Sequence, residues 1–160
     1  MKINRVLFVG GVSTAIASLL HVAIIIGGAD WYRFFGAGEG MAQLHEKGST
    51  YPAMITGVIA IILAIWAIYA FSGAGIIRRL PLAKPALAII SVIFLIRGIF
   101  GIPLVIYIDD PYLNELQGKL TFMFFSSLIS LSFGLFYLIG LIQIWPRHLT
   151  KGSISNAKTP

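Results

Sequence analysis

Four stretches of this chain, about residues 6–29, 52–72, 85–108 and 120–145, run for twenty or more residues each with a single charged residue among them, Arg97. Nothing else in the sequence restricts the fold as severely. An α-helix needs roughly 20 apolar residues to cross the hydrocarbon core of a bilayer. Backbone that enters hydrocarbon must also satisfy its own hydrogen bonds, as a helix does. The expected fold is therefore an all-α integral membrane protein, a bundle of four transmembrane helices.

Composition closes off the alternatives. With 58% hydrophobic and 11% charged residues and a mean hydropathy of +0.89, a water-soluble globular domain is excluded. Residues 1–150 read as one four-span domain. The Ser/Asn/Lys/Thr-rich stretch 151–160 is expected to be a mobile cytoplasmic tail. Pro52 and Pro85 suit the first turns of their helices, where a missing N–H costs nothing, and Pro103 and Pro146 fall near helix ends. The basic start and Ala15-Ile16-Ala17 resemble a cleavable signal. The apolar run continues to Ala29, however, beyond the roughly 7–15 residues of a signal core, so it is expected to be a retained first span.

Charge placement predicts the orientation. One side carries Lys2, Arg5, Arg78, Arg79, Lys84, Arg147, Lys151 and Lys158 and no acid, and the positive-inside rule makes it cytoplasmic. The other carries all 6 acids, Asp30, Glu39, Glu46, Asp109, Asp110 and Glu115, with Arg33, Lys47 and Lys119. Both termini are thus expected in the cytoplasm, and a bacterial inner membrane fits the pattern. Trp31, Tyr32, Tyr51, Tyr107 and Tyr112 mark the outer interface and Trp145 the inner one. The net charge of +6 is spent on topology, not on one polar face, so nucleic acid is not an expected partner. The expected partners are the lipid bilayer and either copies of this chain or a larger membrane complex.

Small residues four apart, Gly10/Thr14/Ser18 and Gly11/Ala15 on the first span and Ser126/Ser130/Gly134 on the fourth, let helix backbones approach closely. They are expected to pack the bundle, or to form the interface of an oligomer. The absence of cysteine removes disulfides, thiolate metal sites and iron–sulfur clusters. Haem needs axial imidazoles on opposing helices at one depth, and His148 lies at the wrong end.

Two ionisable residues, His21 and Arg97, fall inside spans. Polar groups at membrane depth are costly and mark function by default. At 1.5 Å per residue, His21 lies roughly 12 Å and Arg97 roughly 16 Å below the outer ends of their spans. The two can meet in the outer half, with hydroxyls from Ser126 and Ser127 and, nearer the surface, Thr56. As bare structural residues, His21 would hydrogen-bond a neighbouring helix and Arg97 would staple helix ends, with Gly98 and Gly101 leaving it room.

The first outer loop, Asp30 to Gly48, is too apolar to be merely solvated. From Ala37 it reads as a short amphipathic helix, with Ala37, Met41 and Leu44 on one stripe, Glu39, Gln43 and Glu46 on another, and Gly48 as its stop. Gly36, Gly38 and Gly40 have no preceding strand and no Walker lysine, so they indicate tight bending, not a phosphate cradle. Folded inward as a lid, the loop would hang Glu39 and His45 over a cavity floored by His21 and Arg97. His21, Glu39 and His45 together would suit a divalent metal such as zinc, although their spacing matches no metal motif. The acidic loop Asp109–Glu115 reads as a solvated turn.

Three functions fit these residues. The bundle holds a small or lipid-like, possibly anionic, ligand in an outward-facing cavity formed by His21, Arg97, Glu39, His45, Ser126 and Ser127, as a carrier, sensor or transport accessory. Alternatively it is a scaffold or assembly subunit pinned by Arg97 and His21. Or it is a metal-dependent enzyme, with a histidine as base and Arg97 stabilising an oxyanion. The lid-like loop favours the first, and no spacing demands catalysis.

Overall fold

The structure, a computed structural model, describes residues 3–109 and 116–145. Six helices lie wholly within them: α1 Arg5–Gly27, α2 Ala29–Phe34, α3 Glu39–Glu46, α4 Tyr51–Ala74, α5 Ala83–Tyr107 and α6 Leu120–Ile144. There is no strand among the described residues. α1, α4, α5 and α6 are each long and apolar enough to cross a membrane. At 1.5 Å per residue they measure roughly 35–38 Å.

Local chemistry sets the helix ends. The Asn4 side chain caps α1 by accepting from Leu7 N–H at 3.0 Å, as short polar side chains do at helix starts. Pro52 occupies the first turn of α4. Gly28 and Gly75, at φ 71° and 81°, end α1 and α4 in the left-handed region that favours glycine.

The long helices form two hairpins, α1 along α4 and α5 along α6, joined where α1 meets α6 and α4 meets α5. One end of the bundle carries Arg5, Arg78, Arg79 and Lys84, and the other carries Asp30, Glu39, Glu46 and Asp109 with Arg33, Lys47 and Lys119. Lys2, Asp110, Pro111, Tyr112, Glu115, Pro146, Arg147, His148, Lys151, Lys158 and the tail 151–160 lie outside the described residues.

The hairpins close on each other in the basic-end half. Leu7, Ala70, Ala74, Leu87, Ile90 and Leu141 form its buried core. Asn4 ties three helix ends together, donating from its backbone to Ala74 O at 3.0 Å and from Nδ2 to Gly140 O at 3.2 Å. Gly10 lies against Phe136 and Tyr137, and Gly140 against Leu7. Gly10, Gly11, Thr14, Ser18 and Gly134 are therefore buried within the bundle, and they are not available as an oligomer face. Ser18 donates to Ala60 O at 2.7 Å and Ser91 to Gly134 O at 3.0 Å, stitching each hairpin.

A Cβ on Gly98 would come within 2.8 Å of the Leu131 backbone nitrogen, and neither backbone can yield without separating α5 from α6. Gly40 on α3 has open space around it. Gly98→Val is therefore expected to lower the thermal midpoint clearly, by a loss of about 1–3 kcal/mol. Gly40→Ala should leave it unchanged or slightly raised. Thermal unfolding of both variants in one detergent checks the contrast.

Candidate functional site

The stripe of α1 that carries Leu7, Gly10 and Thr14 in the buried core runs on toward the acidic end. Its residues Ala17, His21 and Ile24 line a cavity of about 600 Å³ between the hairpins. That is within the roughly 300–1,000 Å³ of small-molecule sites. The stripe of α5 that begins at Leu87 and Ile90 also runs into it, through Phe94, Arg97, Gly101 and Leu104. Antiparallel helices that touch at one end and diverge at the other enclose such a cleft.

The floor is aromatic. Phe94 meets Trp66 edge-on at 5.1 Å and Phe133 at 5.4 Å, and its ring lies 5.8 Å from Tyr137. Beneath it, the Tyr137 hydroxyl is 3.1 Å from both Thr14 Oγ1 and Trp66 O. Thr14 gives its own hydrogen to Gly10 O at 2.8 Å, so Tyr137 is the donor to that pair. The polar atoms of the buried floor are thereby satisfied.

One polar node breaks the apolar wall. Arg97 Nη2 donates to Ser126 Oγ at 3.1 Å, and Nη1 reaches Ser127 Oγ at 3.5 Å. Gly101 leaves room for the guanidinium, since a Cβ there would collide with Arg97 Nη1 and Ser127 Oγ. Arg97 is nonetheless exposed. His21 Nδ1 lies 2.8 Å from Ala17 O. A carbonyl only accepts, so Nδ1 carries a hydrogen. Ser126, as acceptor for Arg97, keeps its own hydrogen to donate. Ser130 lines the cavity beside it but turns its hydroxyl to Ser126 O at 2.9 Å. The structure therefore brings His21, Arg97 and Ser126 to one cavity, with Ser127 buried beneath Arg97. Thr56 is buried and does not line it.

The lid differs from expectation. Gly28 breaks the chain, α2 forms at once, and α3 folds back onto α2 and α4 instead of over the cavity. Tyr32, expected as an interfacial aromatic, is fully buried against Ile24 and Ala42. His45 lies across the α1–α2 joint, where a Cβ on Gly28 would come within 2.9 Å of its Nε2. Its ring is 5.7 Å from that of Tyr32. Glu39 is held in a two-pronged ion pair by Arg33, with Nε–Oε2 and Nη2–Oε1 both 2.8 Å. Glu46 accepts from Arg33 Nη1 at 2.8 Å.

Neither Glu39 nor His45 lines the cavity, and Phe35 and Gly36 do so in their place. Gly36 and Gly38 need their glycines at φ 73° and 96°, whereas Gly40 sits inside α3. Among the described residues no three His, Asp or Glu side chains are grouped to hold a metal, so the expected set of His21, Glu39 and His45 is not assembled. Arg33 is the residue sequence reasoning missed. Its signal was the spacing to Glu39 and Glu46, which only the fold-back of α3 turns into contact.

Comparison with family models, with curated proteins and with solved structures finds no match.

The Arg33 hydrogen bond holds the Glu39 carboxyl down to about 2. A carboxyl lowered in the folded state stabilises above its ordinary value, near 4.5, and loses that contribution as pH falls through the folded one. Hydrogen-exchange protection of α2 and α3 should therefore be constant from pH 8 to about 5 and fall between roughly 4.5 and 2. Arg33→Met should abolish the ion pair and weaken that protection already at neutral pH.

Proposed function

We propose that this chain spans the membrane four times with both ends cytoplasmic, in a bacterial inner membrane, and holds a small acidic amphiphile in the cleft between its hairpins. Positive-inside counting supports the orientation, placing the cleft on the outer side. The exposed Arg97 in an apolar cleft is the observation that carries the binding reading. Ten residues separate it from Tyr107 at the end of α5, about 15 Å of helix and too far for the guanidinium to reach the interface. A charge at such depth costs about 2.5–3.5 kcal/mol on insertion scales. In the cleft the guanidinium meets the hydroxyls of Ser126 and Ser127.

The donors converge accordingly. Arg97 and the Ser126 hydroxyl present hydrogens suited to a carboxylate or phosphate oxygen. His21 Nε2 can accept from a protonated head group. The remaining wall, with Leu20, Ile24, Leu63, Val105, Met123 and Ile129, suits an acyl or similar tail. Such a protein serves as a carrier, a sensor or an accessory to transport.

Native mass spectrometry of the protein released from nanodiscs, with extraction of what it retains, tests this. The wild type should keep an acidic amphiphile, and Arg97→Leu should lose it at least about tenfold, a change of about 1.4 kcal/mol, while its helicity stays unchanged. Equal retention by the variant would remove Arg97 from the site. A wild type that retains nothing would favour the scaffold reading.

A further inference from the structure

The cleft has a tied mouth and unsealed flanks. At the mouth, Lys119 at the start of α6 donates from Nζ to Arg33 O at 2.6 Å, binding the lid of one hairpin to the other hairpin. Gly36 lies against Phe122 and Leu116, so close that a Cβ would come within 2.7 Å of the Phe122 ring. Gln117 donates to Val105 O at 2.9 Å, tying the turn before α6 to the last turns of α5. Arg33 meanwhile binds Glu39, Glu46 and, at 3.5 Å, Asp30, which fixes α2 against α3.

The sides are different. Leu20, Phe125 and Ile129, where α1 faces α6, and Ile59 and Leu104, where α4 faces α5, all line the cavity. All five are also exposed, at 37–57%. The cavity wall is thus continuous with the surface that meets acyl chains.

We infer that the ligand is an acidic amphiphile dissolved in the bilayer, which enters sideways between the hairpins, and not a water-soluble anion entering past α2 and α3. This rests on the binding reading above. A bilayer amphiphile keeps its tail in hydrocarbon throughout such a path, and only its head moves from the interface to Arg97. A water-soluble anion would have to break the Lys119 tie and part Gly36 from Phe122. The aromatic floor at Phe94 stops the head at the depth of Arg97 and His21.

The cysteine-free chain makes a covalent test clean. Phe34 is exposed and neighbours the Arg33 carbonyl that Lys119 holds, and neither Phe34 nor Lys119 lines the cavity. Phe34→Cys with Lys119→Cys, joined by a bismaleimide, locks the mouth. The probes are a diazirine-bearing hexadecanoic acid dissolved in phosphatidylcholine nanodiscs and a diazirine-bearing butyrate added to the water. Labelled residues are mapped by mass spectrometry after timed illumination.

Hexadecanoate should label the α1 and α6 walls of locked and unlocked protein at the same rate, and butyrate should not label the wild type, in which the Lys119 tie is intact. Loss of hexadecanoate labelling on locking, or butyrate labelling of the wild type beside Arg97, would overturn sideways entry. No wall labelling by either probe in the unlocked protein would instead overturn the binding reading, and the route with it.

Discussion

All four long helices meet at Tyr137. It stands on α6, its hydroxyl donates toward Thr14 of α1 and the Trp66 carbonyl of α4, and its ring packs on Phe94 of α5. It is fully buried. A phenol in hydrocarbon must find an acceptor, and here the acceptors belong to the opposite hairpin. Satisfying the hydroxyl therefore fixes how the hairpins dock. Glycines at positions 10 and 140 let the backbones come close enough for it. The basic-end half is closed as a consequence.

Closing one half opens the other. Beyond Tyr137 the facing residues of the two hairpins line the cavity, with Phe94, packed on Trp66 and Phe133, at its floor. The polar groups of the spans then divide by purpose. Thr14, Ser18 and Ser91 spend their hydrogens on backbone carbonyls and hold the bundle. Arg97, Ser126 and His21 instead face the cleft. At the acidic end Lys119 ties α2 to the start of α6, and Arg33 fixes α2 against α3.

Much of this was legible from the chain. The long helices end within two residues of the expected spans, because span length and capping are local properties read from hydropathy, Asn4, Pro52 and the terminal glycines. That His21 and Arg97 line one cavity was within reach of residue rise, which puts both in the outer halves of their spans. Their depth does not tell what faces them, and Glu39 and His45 were misplaced for that reason. α2 was read as loop because six residues carry too little periodicity, and its presence turns α3 back onto Arg33 and Tyr32. The role of Tyr137 was invisible, since an aromatic in a span looks the same whether it packs lipid or joins four helices. Ser126 and Ser130 shared a small-residue spacing with Gly134, yet only Gly134 packs against a helix, at Leu95, while the serines line the cleft.

An experimental structure of the full chain in lipid nanodiscs tests the central claim most directly. It should show the hairpins in contact around Tyr137 and parted beyond Phe94, with elongated density in the cleft ending at Arg97 and Ser126. A bundle packed along its whole length, with side chains filling the space between His21 and Arg97, would contradict the account.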